Sequence, residues 1–235
     1  MTGARARILG QVRARLGRAG PPPFAELDAR LAAHRPNLVP ARAKAEGGAR
    51  LALFAEMAEA AQCEVTRLER WAQVPATVAR WLGAHNLPSG LAVAPDPRLA
   101  AIPWTDEPLL GVRLDGAQAH DAAGLALADA GIAETGTLML ASSRHSPTTL
   151  SFLPENHIVV VPAGAVVGCY EEAWTLLREA RGGEARFTMP PTVNLITGPS
   201  RTADIALKIE LGAHGPRRLH VLIVDEPLPG TGDGA

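Results

Sequence analysis

The sequence predicts an α/β protein built on a mostly parallel sheet covered by helices on both faces, with an N-terminal helical extension. Three observations predict it. From Cys63 onward, short apolar runs alternate with helical stretches, the order that βαβ units require. His157-Ile-Val-Val-Val161 and Leu219-His-Val-Leu-Ile-Val224 are apolar on consecutive residues, as in strands covered on both sides. The first sixty residues carry helical patterns and no strand.

Taken in order, residues 3–18 read as a helix with Ile8, Val12 and Leu16 on one side and Arg5, Arg7, Arg13, Arg15 and Arg18 solvated on the other. Gly20-Pro-Pro-Pro23 ends it. A short helix follows from Phe24 to His34, then Pro36 and Pro40 break the chain, and Leu51-Ala-Leu-Phe54 with Met57 and Ala61 marks a longer helix. Residues 64–68 read as a strand and 74–82 as a helix with Trp71, Val78 and Trp81 on one side. Residues 90–94 and 109–113 read as strands, and 128–133 and 137–141 as two strands about a Glu-Thr-Gly turn. Residues 157–161 form the clearest strand, followed by a helix over 166–179 that stops at Gly182-Gly183. The last unit is a strand over 193–197, an amphipathic segment over 202–211 and a strand over 219–224. Ile205, Leu207, Ile209 and Leu211 also alternate as a strand would, but Ser200 and Thr202 as caps and Gly212 as a stop favour a helix. The expected organisation is a helical extension over 1–60, an α/β domain over 61–226 and a flexible Gly/Pro/Asp-rich tail over 227–235.

The 235 residues are enough to bury a core without staples. With aromatics at 4%, that core is built mainly from Ala, Leu, Val and Ile. A net charge of −1 gives no field that would gather nucleic acid or an anionic membrane. No apolar run reaches 18 residues and no signal-peptide pattern is present, so the expectation is a cytoplasmic protein without a membrane span. Cys63 and Cys169 stand far apart and outside any C-x-x-C pair, and read as small buried hydrophobes. G-x-S-x-G, G-x-x-x-x-G-K-[ST] and G-x-G-x-x-G are all absent, which disfavours a self-contained hydrolase, NTPase or dinucleotide-dependent dehydrogenase.

Two stretches concentrate polar chemistry. In Thr197-Gly-Pro-Ser-Arg-Thr-Ala-Asp204, a strand runs into a turn that presents hydroxyls and one arginine. Backbone N–H groups at a helix start and the planar fork of Arg201 would together cradle a carboxylate or phosphate. In Glu134-Thr-Gly-Thr137, a carboxylate and Thr-Gly close an apolar strand, where open α/β sheets gather ligands at the carboxyl ends of strands. Gly136 would let the backbone approach a ligand or take a positive φ. Of the histidines, His145 has no local partner, His157 reads as a half-buried packing residue, and His214 in His214-Gly-Pro216 is placed to enter a cleft. Their spacing supports no sequence-local metal site. The expected ligand-binding residues are therefore Thr135, Gly136, Thr137, Thr197, Gly198, Ser200, Arg201, Thr202 and Asp204. Glu134 would line the cleft and His214 would carry a proton.

Four motifs in register strengthen this reading. They are Ala130-Gly-Ile-Ala-Glu-Thr-Gly-Thr-Leu-Met-Leu140, Leu153-Pro-Glu-Asn-His-Ile-Val-Val-Val161, Ile196-Thr-Gly-Pro-Ser-Arg-Thr-Ala-Asp-Ile205 and Leu211-Gly-Ala-His-Gly-Pro216. In order and approximate spacing they resemble the LUD domain family, in its lactate-utilisation branch, over roughly residues 50–225. The resemblance implies a three-layer α/β/α fold related to the sugar-phosphate isomerase and CoA-transferase superfamily. It also implies work alongside iron–sulfur partner proteins in oxidising L-lactate to pyruvate. Removing two electrons from lactate needs a flavin, nicotinamide or metal cluster to receive them, and two isolated cysteines do not make a cluster site. The expectation is no cofactor in this chain, iron–sulfur clusters on partner subunits, and a cleft for a small carboxylate or phosphate. Two alternatives remain open: a stand-alone CoA- or phosphosugar-handling enzyme using Glu134, whose Glu-x-Gly turn is similar to that of CoA transferases, and a non-catalytic assembly module.

Overall fold

The computed structural model describes residues 2–17, 24–35, 38–183, 187–202 and 210–228. The chain divides into two compact units, residues 1–39 and 40–235. The first holds two helices, α1 (Thr2–Arg15) and α2 (Phe24–Ala32). The apolar residues that the sequence places on a packing face, Ile8, Val12 and Leu16, are exposed, as are Phe24 and Leu31 of the second helix.

The second unit carries the sheet. Helix α3 (Gly47–Ala60) leads into β1 (Glu64–Leu68), α4 (Val74–Ala84), β2 (Gly90–Val93), the short α5 (Pro97–Ala100), β3 (Gly111–Arg113) and β4 (Ala123–Leu127). Then come β5 (Ala130–Ile132), β6 (Thr137–Ala141), the short α6 (Thr149–Phe152), β7 (Asn156–Pro162), β8 (Val166–Val167) and α7 (Tyr170–Ala180). The chain closes with β9 (Val193–Ile196), β10 (Arg201–Thr202), β11 (Glu210–Leu211) and β12 (Arg218–Val224). The architecture is α/β, with a mostly parallel central sheet flanked by helices. Six strands pair in the order β1-β12-β7-β4-β2-β3, every neighbour parallel. The interior strands β4 and β7 are buried at every residue, and β12 at every residue after Arg218. This is the physical meaning of their unbroken apolar runs. The outermost strands β1 and β3 are more exposed.

Helix α3 seats Phe54 and Ala58, both fully buried, against the sheet, and α4 adds Val74, Val78, Trp81 and Leu82 to the same core. Trp71 ties down the start of the expected tail, donating from its indole to the carbonyls of Glu226 and Pro227 at 3.1 and 3.0 Å. Among the described residues no helix is long and apolar enough to cross a membrane.

Four readings are corrected. First, the strands around the Glu-Thr-Gly turn do not join the main sheet. β8, β5, β6 and β9 form a second, mixed sheet of four strands, antiparallel at β5–β6 and β6–β9. Second, α7 starts at Tyr170 instead of Val166. The β-branched pair Val166–Val167 extends alongside Gly131 and Ile132, and Glu172 then accepts the Gly168 N–H at 2.7 Å where the helix begins. Third, no helix begins at Thr202, because Arg201–Thr202 pairs antiparallel with Glu210–Leu211. Asp204, with Ile205, Leu207 and Ile209, lies outside the described residues, as do the breakers at 20–23 and 36 and the tail from 229 on. Fourth, His157 is fully buried instead of half-buried.

Candidate functional site

Residues 196–201 leave β9, and residues 212–216 lead back into β12. Three hydrogen bonds lace these two loops together. The Ser200 N–H donates to the Pro216 carbonyl at 2.8 Å, the Gly212 N–H to the Ser200 carbonyl at 2.9 Å, and the His214 N–H to Ser200 Oγ at 3.3 Å. Ser200 is thus a clasp between loops and not a helix cap. Between the loops lies a cavity of about 270 Å³. Thr197, Gly198, Ser200, Arg201 and His214 of the expected set line it, together with Ser151, Phe152, His157 and Leu219. His157 and Leu219 are the second residues of β7 and β12, so the cavity opens at the amino ends of these parallel strands.

Arg201 stands exposed on the cavity wall. Its Nη1 donates to Gln62 Oε1 at 3.3 Å, and among the described side chains it makes no ion pair. Among the described residues, a neutral partner at that distance leaves the guanidinium its charge and most of its five donors. The backbone contribution is smaller than the sequence suggests: the Ser200 N–H is spent on Pro216, and Pro199 has none.

The Glu-Thr-Gly-Thr turn approaches the same region without lining the cavity. Thr137 Oγ1 lies 2.6 Å from Thr197 Oγ1, 2.7 Å from Thr135 Oγ1 and 3.0 Å from the hydroxyl of Tyr170, the single tyrosine of the chain. The two candidate stretches therefore meet, through hydroxyls, where β6 and β9 pair. Glu134 is buried and turned the other way. Its Oε1 accepts the Tyr170 N–H at 3.3 Å, at the start of α7, where a carboxylate complements the partial positive charge of the helix end. Glu134→Gln is expected to cost about 0.5–1 kcal/mol, read as a drop in melting temperature, with carboxylate affinity unchanged. A loss of affinity as large as that from an Arg201 substitution would put Glu134 in the binding site.

Gly136 and Gly198 also serve the fold. Gly136 has φ +64°, and a Cβ there would stand 2.2 Å from the backbone nitrogen of Ala58 in α3. Gly198 has φ +79°, and its Cβ would stand 2.1 Å from the Ala61 carbonyl oxygen. The close approach that the turn needs glycine for is to α3 and its end, not to a ligand. Thr202 pairs in β10 away from the lining, and His145 holds the Pro95 carbonyl through Nδ1 at 2.9 Å. Both cysteines are buried. Burial pushes the Cys63 thiol up to about 11, although a contact with the Gly198 backbone opposes it.

Sequence reasoning missed His157, Ser151 and Phe152. His157 lies at the buried side of the cavity, and neither ring nitrogen has a hydrogen-bond partner among the described residues. Burial alone pushes its pKa down to about 4, so the ring is neutral near pH 7. The available signal was an imidazole at the head of an apolar run, since a buried polar group is the informative exception in a core.

A crystal structure of a DUF162 family protein from Deinococcus radiodurans superposes with a TM-score of 0.54 at 24% identity, over 74% of this chain and 96% of that one, a likeness of fold. Lactate utilization protein C from Macrococcus caseolyticus is 33% identical over 103 residues, 44% of each chain. The protein of the same name from Geobacillus thermodenitrificans is 34% identical over 103 residues, 44% of this chain and 42% of its own. The chain thus matches less than half the length of these curated relatives. The LUD domain model matches residues 51–224, from α3 to the end of β12, and the chain belongs to the LUD domain family.

Proposed function

We propose that this protein is a subunit or accessory protein of an L-lactate-oxidising system, and that it holds a small carboxylate in the cavity between the 196–201 and 212–216 loops. The single observation that carries the reading is Arg201: an exposed guanidinium, unpaired with any described carboxylate, on the wall of a cavity roomy enough for a short organic acid. His214 flanks the same opening. Family membership and the names of the relatives direct the choice of carboxylate towards lactate. The electrons belong, on this reading, to iron–sulfur partner proteins. Two separate buried thiols, Cys63 and Cys169, are poor cluster ligands, and the chain has no other cysteine.

A charge-assisted contact from arginine to carboxylate is worth about 1.5–3 kcal/mol where water is excluded and less at an exposed position. Arg201→Lys, which keeps the charge but loses the fork, should weaken L-lactate binding about five- to tenfold in a calorimetric titration. Added salt should weaken the wild-type interaction as well. Equal affinities in the two proteins would remove Arg201 from the site.

A further inference from the structure

The cavity has two unlike polar groups. Arg201 is exposed and charged, whereas His157 is fully buried with both ring nitrogens unpartnered among the described residues. Apolar side chains stand beside them, with Phe152, Ile196 and Leu219 among the lining. On the flanking strands, His157 is in register with Gly124 and Leu219, neither of which offers a side-chain donor or acceptor. A buried imidazole without a partner is a cost to the fold, so its presence in the wall of a cavity calls for a guest that satisfies it.

We propose that His157 is a specificity-determining contact that hydrogen-bonds an uncharged oxygen next to the carboxylate of the ligand, so that the site selects short carboxylic acids bearing a hydroxyl or carbonyl group. The inference rests on the anion-binding reading above and deepens it. A neutral imidazole can present either an N–H donor or a bare nitrogen to the cavity, according to tautomer, and so meets an alcohol or a carbonyl oxygen alike. Its low pKa keeps it in that neutral form throughout the physiological range. A charged histidine would instead add a second cation and attract carboxylates without regard to their other oxygen.

The test compares L-lactate with propionate, the same carbon chain without the hydroxyl, by calorimetry on the full chain. Wild-type protein should prefer L-lactate about fivefold, the worth of one neutral hydrogen bond. In His157→Leu the preference should vanish through loss of lactate affinity, with propionate binding retained. His157→Gln, which keeps a donor and an acceptor, should recover part of it. Nitrogen-15 spectra of the wild-type His157 ring supply a readout that needs no variant: addition of L-lactate should shift the ring resonances and propionate should not. A preference that survives in His157→Leu, or a ring unmoved by L-lactate, overturns the proposal. Wild-type protein binding both acids alike overturns it while leaving the Arg201 reading intact, and failure to bind either acid removes both.

Discussion

Gly136→Ala is expected to be the most damaging conservative substitution in the α/β unit, costing at least about 4 kcal/mol or preventing folding outright. Two costs add. The residue sits at φ +64°, where an L side chain is strained, and the new methyl would stand 2.2 Å from Ala58 N, 2.4 Å from the Met57 carbonyl carbon and 2.6 Å from Ala58 Cα. All three atoms are helix backbone, which cannot swing aside as a side chain can. Relief requires lifting the turn off α3, and α3 seats the fully buried Phe54 and Ala58 in the core. Gly83→Ala, near the end of α4 with open space around it, is the matched control and should be neutral or stabilising by roughly 0.5–1 kcal/mol. Urea denaturation of both variants settles the point, and equal midpoints would mean that the turn does not press on the helix.

The second large effect is acid sensitivity. Burial pushes His157 and His220 down to about 4, each from an ordinary value of 6.5. His220 stacks on Trp81, shares a hydrogen bond with Thr66 through Nε2 at 2.9 Å, and leaves Nδ1 without a partner among the described residues. Desolvation is the largest cause and His85 adds to it, and together they outweigh Glu64, which favours the charged form. Above pH 6.5 both rings are neutral whether the chain is folded or not, and their burial adds no pH-dependent cost. Between 6.5 and 4 the unfolded chain takes up protons that the folded one refuses, so stability falls by about 1.4 kcal/mol per pH unit for each ring. Together they should remove about 3 kcal/mol between pH 7.5 and 5.5. His157→Leu should halve that loss and, by deleting an unsatisfied buried group, raise the melting temperature at neutral pH by a few degrees. A stability that stays flat from pH 7.5 to 5.5 would show that the imidazoles are hydrated or otherwise partnered.

How far the sequence carries follows from which interactions are local. The interior strands β7 and β12 are legible because burial on both faces imposes apolar residues in succession, whereas β4, equally buried but built from Ala, Gly and Leu, is not legible as a strand. Helices α3 and α4 are legible from their spacing. Of the second sheet, β5, β6 and β9 are legible as strands but their separate sheet is not, because the pairings β5–β8 and β6–β9 join segments far apart along the chain. Thr202 misled for a related reason: hydroxyl capping is a local preference, and the antiparallel pairing of Arg201–Thr202 with Glu210–Leu211 decided against it.

The site shows the same division. Thr197, Gly198, Ser200, Arg201 and His214 announce themselves as turn and charge chemistry and do meet around one cavity. Glu134 carries an equally plain signal, yet its carboxylate faces the start of α7. The orientation of a side chain after a strand depends on what packs there, and nothing within Glu134-Thr-Gly-Thr137 specifies it. His157 is the reverse case, silent as a motif and informative only once its burial and missing partners are visible.

The most direct measurement is a crystal structure of the full chain grown with saturating L-lactate. The account predicts lactate in the cavity at the amino ends of β7 and β12, its carboxylate on Arg201 and its hydroxyl oxygen within hydrogen-bond distance of His157. Lactate bound instead beside Glu134, or a cavity left unfilled at saturating concentration, would contradict it.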